Sequence, residues 1–319
     1  MRATVHPART ADDLPRMPAP AITNALTIDV EDYFQVSALA PYIARSGWDA
    51  QACRVERNVE RILQMLARHG VRATFFTLGW IAERYPPLVR SIVAQGHELA
   101  SHGHAHERAS ELDRAAFRQD VERAKKLLED LGGREVRGYR APSFSIGRAN
   151  LWALDVLAET GHRYSSSIYP IAHDHYGMPD APRFAHRVAE GLIEIPATTV
   201  RLGGRNLPAG GGGYFRLLPY AASRWLIRRV NAVDAQSAVF YFHPWEIDPA
   251  QPRVPGTDAK TRFRHYVNLG RTEGRLERLL GDFRWGRMDE IFLAAPALSS
   301  PATAVLPASR PRRADPQTS

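Results

Sequence analysis

The sequence offers almost no means of covalent cross-linking, because Cys53 is the only cysteine among its 319 residues. One cysteine cannot form a disulfide within the chain, which excludes disulfide-stabilised folds. We interpret Cys53 as a small, buried apolar side chain, since the sequence suggests no histidine partner for a catalytic thiol. With 44% hydrophobic residues, a chain of this length can bury a sufficient core without such links.

Long apolar runs are also missing. No stretch approaches the roughly 20 apolar residues of a membrane-spanning helix. The N-terminal segment has no apolar run of about 7–15 residues, as a secretory signal would. We therefore expect a soluble, cytoplasmic protein without an integral membrane segment. Peripheral association with a membrane and the oligomeric state stay open.

The excess of basic residues gives a formal net charge of +8, but no nucleic-acid-binding motif accompanies it. The arginines are dispersed, and part of the excess lies in the C-terminal tail at Arg310, Arg312 and Arg313. We therefore do not expect nucleic acid as a partner. A basic surface could also attract an anionic glycan, although charge alone does not show this.

The chain is organised as one folded region, 22–293, between two segments that are rich in Pro and Ala. Those segments, 1–21 and 294–319, lack periodicity and are predicted to be disordered. Between them, short apolar runs alternate with helical patterns, which predicts parallel βα units. About seven such units favour a distorted (β/α)7–8 barrel over an open sheet. The predicted strands are 25–28, 71–77, 97–101, 136–140, 192–195 and 238–242, and the predicted helices are 55–69, 87–95, 115–131 and 151–160.

Polar clusters follow the predicted strands, where barrels of this type carry their functional residues. The carboxylates of Asp29, Glu31 and Asp32 follow the first strand and would repel each other without a cation or protons. A solvated turn or a helix N-cap is the alternative for them. His102 and His106 follow the third strand, and neutral histidine is a common metal ligand. Surface histidines are the alternative there. A carboxylate and two histidines would leave coordination positions open for hydrolysis.

Two further clusters end later strands. Arg140 could orient a carboxylate, Pro142 would stiffen the turn, and the backbone N–H of Ser143 could face an oxyanion. A structural salt bridge is the alternative for Arg140. His243, in Phe242-His243-Pro244-Trp245-Glu246, suits a general acid, and a core histidine is the alternative.

In order and spacing, these motifs resemble those of the NodB-homology polysaccharide deacetylases, carbohydrate esterase family 4. The aspartate motif corresponds to 27–32, the histidine motif to 102–106, the arginine motif to 140–143 and the hydrophobic-x-His motif to 241–243. Segment 72–76 is similar to the family's second strand. The resemblance covers roughly 22–290.

One branch of the family, encoded with exosortase and exopolysaccharide loci, is more similar still. It carries a C-terminal extension, which we place at about 201–284. The resemblance implies an exopolysaccharide or its lipid-linked precursor as substrate. The segments that carry it are Asp-Val-Glu-Asp-Tyr-Phe, Tyr-Arg-Ala-Pro-Ser-Phe-Ser, Gly-Gly-Gly-Tyr-Phe-Arg and Phe-His-Pro-Trp-Glu.

The resemblance also implies roles for single residues. Asp29 would be the base, His243 the acid, and Arg140 would orient Asp29. Ser143, Pro142 and Trp245 would serve the oxyanion or the substrate.

The metal would be bound by His102, His106 and a carboxylate. Because Val30 replaces the family's second aspartate, that carboxylate is Asp32 or Glu31, and we favour Asp32. Zinc is the default metal, and cobalt or nickel would fit the same ligands.

The sequence departs from the family pattern in other places. Gly103 replaces a serine or threonine that would supply a hydroxyl, and Ser143 replaces a tyrosine. The motif with an aspartate to orient the acid histidine is not clear around 165–167. Two alternatives therefore stand beside a deacetylase: a hydrolase of a small cyclic amide or formamide, and a non-catalytic glycan-binding protein.

Overall fold

The computed structural model describes residues 22–173 and 176–294. Apart from Ala294, the two segments predicted to be disordered lie outside this range. Strands are β1 (Thr23–Val30), β2 (Thr74–Thr77), β3 (Glu98–Ser101), β4 (Gly138–Tyr139), β5 (Tyr164–Ser165), β6 (His186–Ala189), β7 (Leu192–Glu194), β8 (Thr199–Leu202), β9 (Arg205–Pro208), β10 (Val239–Phe242) and β11 (Arg284–Gly286). Helices are α1 (Val55–Arg68), α2 (Gly79–Arg84), α3 (Pro86–Ala94), α4 (Arg114–Gly132), α5 (Trp152–Glu159), α6 (Gly212–Leu217), α7 (Tyr220–Val233), α8 (Ala259–Tyr266), α9 (Leu269–Asp282) and α10 (Met288–Phe292). Within the described ranges, no helix is both long and apolar enough to span a membrane.

The main sheet has the strand order β10-β1-β2-β3-β4-β5-β7-β6. Neighbouring strands are parallel from β10 to β7, and only β6 joins antiparallel, as the last strand. β11 pairs in parallel with the start of β1, and β8 and β9 form a separate hairpin. This α/β architecture confirms the predicted distorted barrel.

Strand β1 is almost wholly buried, and its two faces have different partners. Leu26, Ile28 and Val30 pack outward into a core cluster with Val59 and Ile62 of α1. Alternation of side chains along a strand then turns Thr27 and Asp29 to the opposite face. Thr27 and Asp29 therefore face the inside of the curled sheet.

The predicted site residues lie at the carboxyl end of the main sheet, where each follows one of four strands. Because the strands are parallel, the chain leaves β1, β3, β4 and β10 at the same edge. Glu31 follows β1, His102 follows β3, Arg140 follows β4 and His243 follows β10. A short 3-10 turn, Pro244–Ile247, continues from His243.

Candidate metal and catalytic site

Glu31, His102 and His106 form a buried cluster with metal-binding geometry. Each offers one ligand atom, and these atoms all lie within 4.8 Å of one another. Nε2 of His106 is 2.6 Å from Oε2 of Glu31. Within the described part of the chain, this is the one group of three or more such residues with that spacing.

The protonation states of His102 and Glu31 favour the binding of a metal cation. Nδ1 of His102 lies 2.8 Å from the carbonyl oxygen of Arg140, which can only accept, so Nδ1 donates and Nε2 is free to bind a metal. Burial lowers the pKa of His102 to about 4, which keeps the ring neutral. Burial raises the pKa of Glu31, but the neighbouring His106 and His243 outweigh it and lower the pKa to about 2. Two imidazoles and one carboxylate are a donor set that fits zinc and similar divalent ions.

Asp32 does not join this cluster, which corrects the preference for it as the metal ligand. Its Oδ1 accepts the N–H of Tyr33 at 2.8 Å. Its Oδ2 accepts the N–H groups of Arg54 and Val55 at 2.5 and 2.8 Å and the thiol of Cys53 at 3.1 Å. The carboxylate therefore caps a 3-10 turn and the start of α1, which was the alternative weighed for this run of acids.

Period-two alternation along β1 explains why Glu31 is the residue that reaches the histidines. Thr27, Asp29 and Glu31 share one face, because successive side chains of an extended segment point to opposite sides. Both Thr27 and Asp29 accept hydrogen bonds from Nη1 of Arg140, at 2.7 and 2.6 Å. The same pattern was visible in the sequence and could have identified Glu31.

Arg140 contacts Asp29, the carboxylate that the resemblance gives it to orient. Its side chain is fully buried, and Nη2 also donates to the hydroxyl of Ser166 at 3.0 Å. Its guanidinium lies 4.1 Å from the ring centre of Phe76. A guanidinium with this many contacts has one orientation, so Asp29 is held in one orientation as well.

His243 faces both carboxylates. Nε2 of His243 lies 3.9 Å from Oδ2 of Asp29 and 3.6 Å from Oε1 of Glu31. Burial lowers the pKa of His243, but the carboxylates of Glu31, Glu246 and Asp29 together raise it to about 9. The candidate base, the candidate acid and the metal ligands therefore converge on one place.

Trp245 was expected to serve the oxyanion or the substrate, and the structure corrects this. Its indole is buried and does not offer a face to a substrate. It is 4% exposed, and it stacks between the rings of His243 and His265 at 5.2 and 4.4 Å. Its Nε1 donates to Oε1 of Glu31 at 3.2 Å. Trp245 therefore supports the metal cluster.

Ser143 and Pro142 lie beside these residues in a 3-10 turn after β4. Ser143 has φ 55°, a left-handed conformation that costs a non-glycine residue energy and is common at functional sites. Its hydroxyl oxygen is 2.6 Å from that of Ser37. Their role toward an oxyanion stays a proposal.

Asp120 was missed by sequence reasoning, and it explains Gly103. It lies on α4, and its carboxylate accepts the N–H groups of His104 and Ala105 at 2.9 and 3.1 Å. A Cβ on Gly103, which has φ +76°, would come within 2.8 Å of that carboxylate. The turn between the two histidines is therefore held by a carboxylate of α4. No sequence signal marks Asp120.

The contact of Glu246 with the candidate acid, His243, was also not predicted from the sequence. Its Oε1 lies 2.6 Å from Nδ1 of His243, and its Oε2 accepts Nε of Arg216 at 2.6 Å. Ser166 and Ser167, where an orienting aspartate was sought, instead bind Arg140 and the N–H of Ala141. The signal was present, because Glu246 and Arg216 both lie in segments singled out from the sequence.

Comparison with protein families divides the chain in two. Residues 46–165 match a family described as polysaccharide deacetylase, and residues 166–293 match one described as a domain of unknown function (DUF3473). His102, His106 and Arg140 lie in the first match, and His243 lies in the second. The predicted boundary of a branch-specific extension at about 201 stays a prediction.

Curated relatives match over part of their length. The chain is 31% identical over 96 residues to a peptidoglycan-N-acetylglucosamine deacetylase of Bacillus cereus, covering 30% of this chain and 35% of that protein. It is 36% identical over 112 residues to a chitooligosaccharide deacetylase of Sinorhizobium fredii, covering 34% and 48%. The chain therefore spans less than half the length of these two relatives.

Solved structures share the fold. A putative polysaccharide deacetylase from Mycobacterium smegmatis superposes with a TM-score of 0.53 at 23% identity, covering 84% of this chain and 88% of that one. The Puue allantoinase superposes with a TM-score of 0.54 at 16% identity, covering 86% and 90%. At these identities the likeness concerns the fold alone.

Proposed function

We propose that this chain, which matches the polysaccharide deacetylase family over residues 46–165, removes N-acetyl groups from an exopolysaccharide or its lipid-linked precursor, using a bound divalent metal. The observation that carries the proposal is the convergence of Asp29, His243 and the Glu31–His102–His106 cluster at one edge of the sheet. The motifs shared with the exopolysaccharide branch support the substrate class.

In the proposed reaction, Glu31, His102 and His106 would hold the metal, most simply zinc, with cobalt or nickel as substitutes. When bound there, a divalent ion supplies Lewis acidity. Asp29 takes a proton from the attacking water, and Arg140 holds Asp29 in orientation. The N–H of Ser143 stabilises the oxyanion. His243 gives a proton from Nε2 to the leaving amine as the C–N bond breaks.

Acetate release from acetylated oligosaccharides of the exopolysaccharide, with and without a chelator, tests the proposal. We expect release that the chelator abolishes and added zinc restores. Asp29→Asn and His243→Ala should each lower the rate by about 10²–10⁴-fold. Asp130→Asn and His69→Ala, at ion pairs outside the site, are matched controls that keep wild-type rates.

Three outcomes would contradict it. Full acetate release by both Asp29→Asn and His243→Ala would remove the assigned base and acid. Turnover of a small cyclic amide or a formamide without acetate release would favour another amide hydrolase. Glycan binding without turnover, in a protein that takes up no metal, would favour a non-catalytic role.

A further inference from the structure

Both the ring and the backbone of His243 are held by one carboxylate oxygen. Oε1 of Glu246 is 2.6 Å from Nδ1 of His243 and accepts the backbone N–H of His243 at 3.1 Å. The N–H of Glu246 in turn donates to the carbonyl oxygen of His243 at 3.0 Å. Because the two residues close one 3-10 turn with a capping box, the carboxylate cannot swing away from the ring without also losing its hydrogen bond to the backbone N–H of His243.

Arg216 holds the other oxygen of Glu246. Its Nε donates to Oε2 at 2.6 Å, and its side chain is 3% exposed. Nη1 donates to the carbonyl oxygens of His265 and Val267 at 2.7 and 3.2 Å, and Nη2 donates to that of Arg264 at 3.1 Å. A buried carboxylate is stable when it is paired and hydrogen-bonded, and Arg216 provides both. Glu246 is therefore kept ionised beside His243.

Trp245 fixes the plane of the same ring. Its indole is inclined by 20° to the ring of His243 on one face and by 13° to that of His265 on the other. With Nδ1 directed at Glu246 and one ring face covered by Trp245, Nε2 of His243 is left to face Asp29 and Glu31.

We propose that Glu246 and Arg216 position His243 as the proton donor, and that residues 166–293 thereby complete the catalytic site. The inference rests on the proposed function. As Nε2 gives its proton to the leaving nitrogen, the C–N electron pair stays on the amine. The Nδ1 proton remains shared with Glu246, whose negative charge stabilises the protonated ring before transfer. Glu246 and Arg216 are positioning residues, since they act through His243.

Leaving-group chemistry separates this role from a merely structural one. An amine must be protonated to leave, whereas the phenolate of an aryl acetate such as 4-nitrophenyl acetate leaves without a proton. In Glu246→Gln, which keeps the shape and removes the charge, we expect kcat for the acetylated oligosaccharide to fall about 10²-fold or more. KM and bound metal should be unchanged, and aryl acetate hydrolysis should stay within about threefold of wild type. Arg216→Lys should move the rates in the same direction by a smaller factor.

Two further variants serve as controls for the rates on both substrates. Glu246→Asp should recover part of the oligosaccharide rate, and Glu273→Gln, at a surface ion pair with Arg61, should change neither. Equal losses on the two substrates, or an unchanged oligosaccharide rate in Glu246→Gln, would overturn the inference. A wild-type protein that releases no acetate from any glycan would instead contradict the proposed function.

A spectroscopic measurement tests the positioning without turnover. In protein labelled with ¹⁵N-histidine, the Nδ1 proton of His243 should give a slowly exchanging, downfield resonance that is identified by its loss in His243→Gln. We expect Glu246→Gln to shift that resonance upfield or broaden it by exchange with water. An unchanged resonance in Glu246→Gln would overturn the inference even if no substrate is turned over.

Discussion

The two parts of the site are built by different means. In residues 22–165, each functional side chain is held by a partner distant in sequence: Arg140 reaches back 111 positions to Asp29, and His102 is bound to a carbonyl 38 positions on. In residues 166–294, His243 is held by Glu246, three positions away in one turn. The metal-binding half therefore depends on the register of the sheet, whereas His243 and Glu246 pair within one turn.

Removing a metal ligand should give the largest loss of activity, and it should abolish metal binding without disturbing the half of the site that holds His243. In His102→Ala, we expect acetate release to fall to background and bound metal to be lost, because two donors cannot hold the ion as three do. Metal content of the purified protein measures this. His243→Ala, in the other half, should keep its metal. Metal retained by His102→Ala would contradict the ligand set.

Trp245→Phe tests the contact between the two halves. The indole Nε1 of Trp245 donates to Glu31, and phenylalanine keeps an aromatic ring while removing that donor. Loss of an outer partner of a ligand should weaken metal affinity by about 10–100-fold. At saturating metal, kcat should change little. Titration of the metal-free protein with zinc measures the affinity, and an unchanged affinity would show that the halves are independent.

Asp120→Ala tests how far the metal-binding half depends on α4. It leaves the N–H groups of His104 and Ala105 without their carboxylate acceptor. We expect roughly tenfold weaker metal binding and a loss of about 1–3 kcal/mol of unfolding free energy. Asp130→Ala, which removes an exposed aspartate from the same helix, is the control for chemical denaturation and for zinc titration. If Asp120→Ala bound metal as tightly as Asp130→Ala, Asp120 would not contribute to the metal site.

Asp32→Ala should have the smallest effect on the site. It removes an acceptor for the N–H groups of Tyr33, Arg54 and Val55, so unfolding free energy should fall by about 1–3 kcal/mol. Metal content and acetate release should match wild type. If a folded Asp32→Ala protein bound no metal, Asp32 and not Glu31 would be the carboxylate ligand.

Much of the barrel could be predicted from the sequence, because each element carries its own pattern. The apolar stripe of α1 predicted 55–69, and the helix spans Val55–Arg68. Strand edges were less accurate: 71–77 was predicted where β2 spans Thr74–Thr77. The predicted segment starts at Val71, but the pairing of β2 with β1 and β3 starts only at Thr74. The hairpin of β8 and β9 was not predicted at all.

The candidate site was predictable down to its neighbourhood, but some residues within it were not. Strand ends located His102, Arg140 and His243 correctly in space. Among adjacent acids, the choice of Asp32 overlooked the alternation that turns Glu31 inward. Asp120 could not be predicted, because the packing of α4 alone brings it to the turn after β3.

The buried indole of Trp245 also makes the protein its own optical probe. Its nitrogen is hydrogen-bonded to a carboxylate whose charge a bound cation would neutralise, and its ring stacks on an imidazole whose protonation changes quenching. Loading of the ion should therefore alter the emission of one tryptophan among six. The difference spectrum between wild type and Trp245→Phe isolates that signal. Occupancy of the site could then be followed in real time without a dye, a label or a substrate.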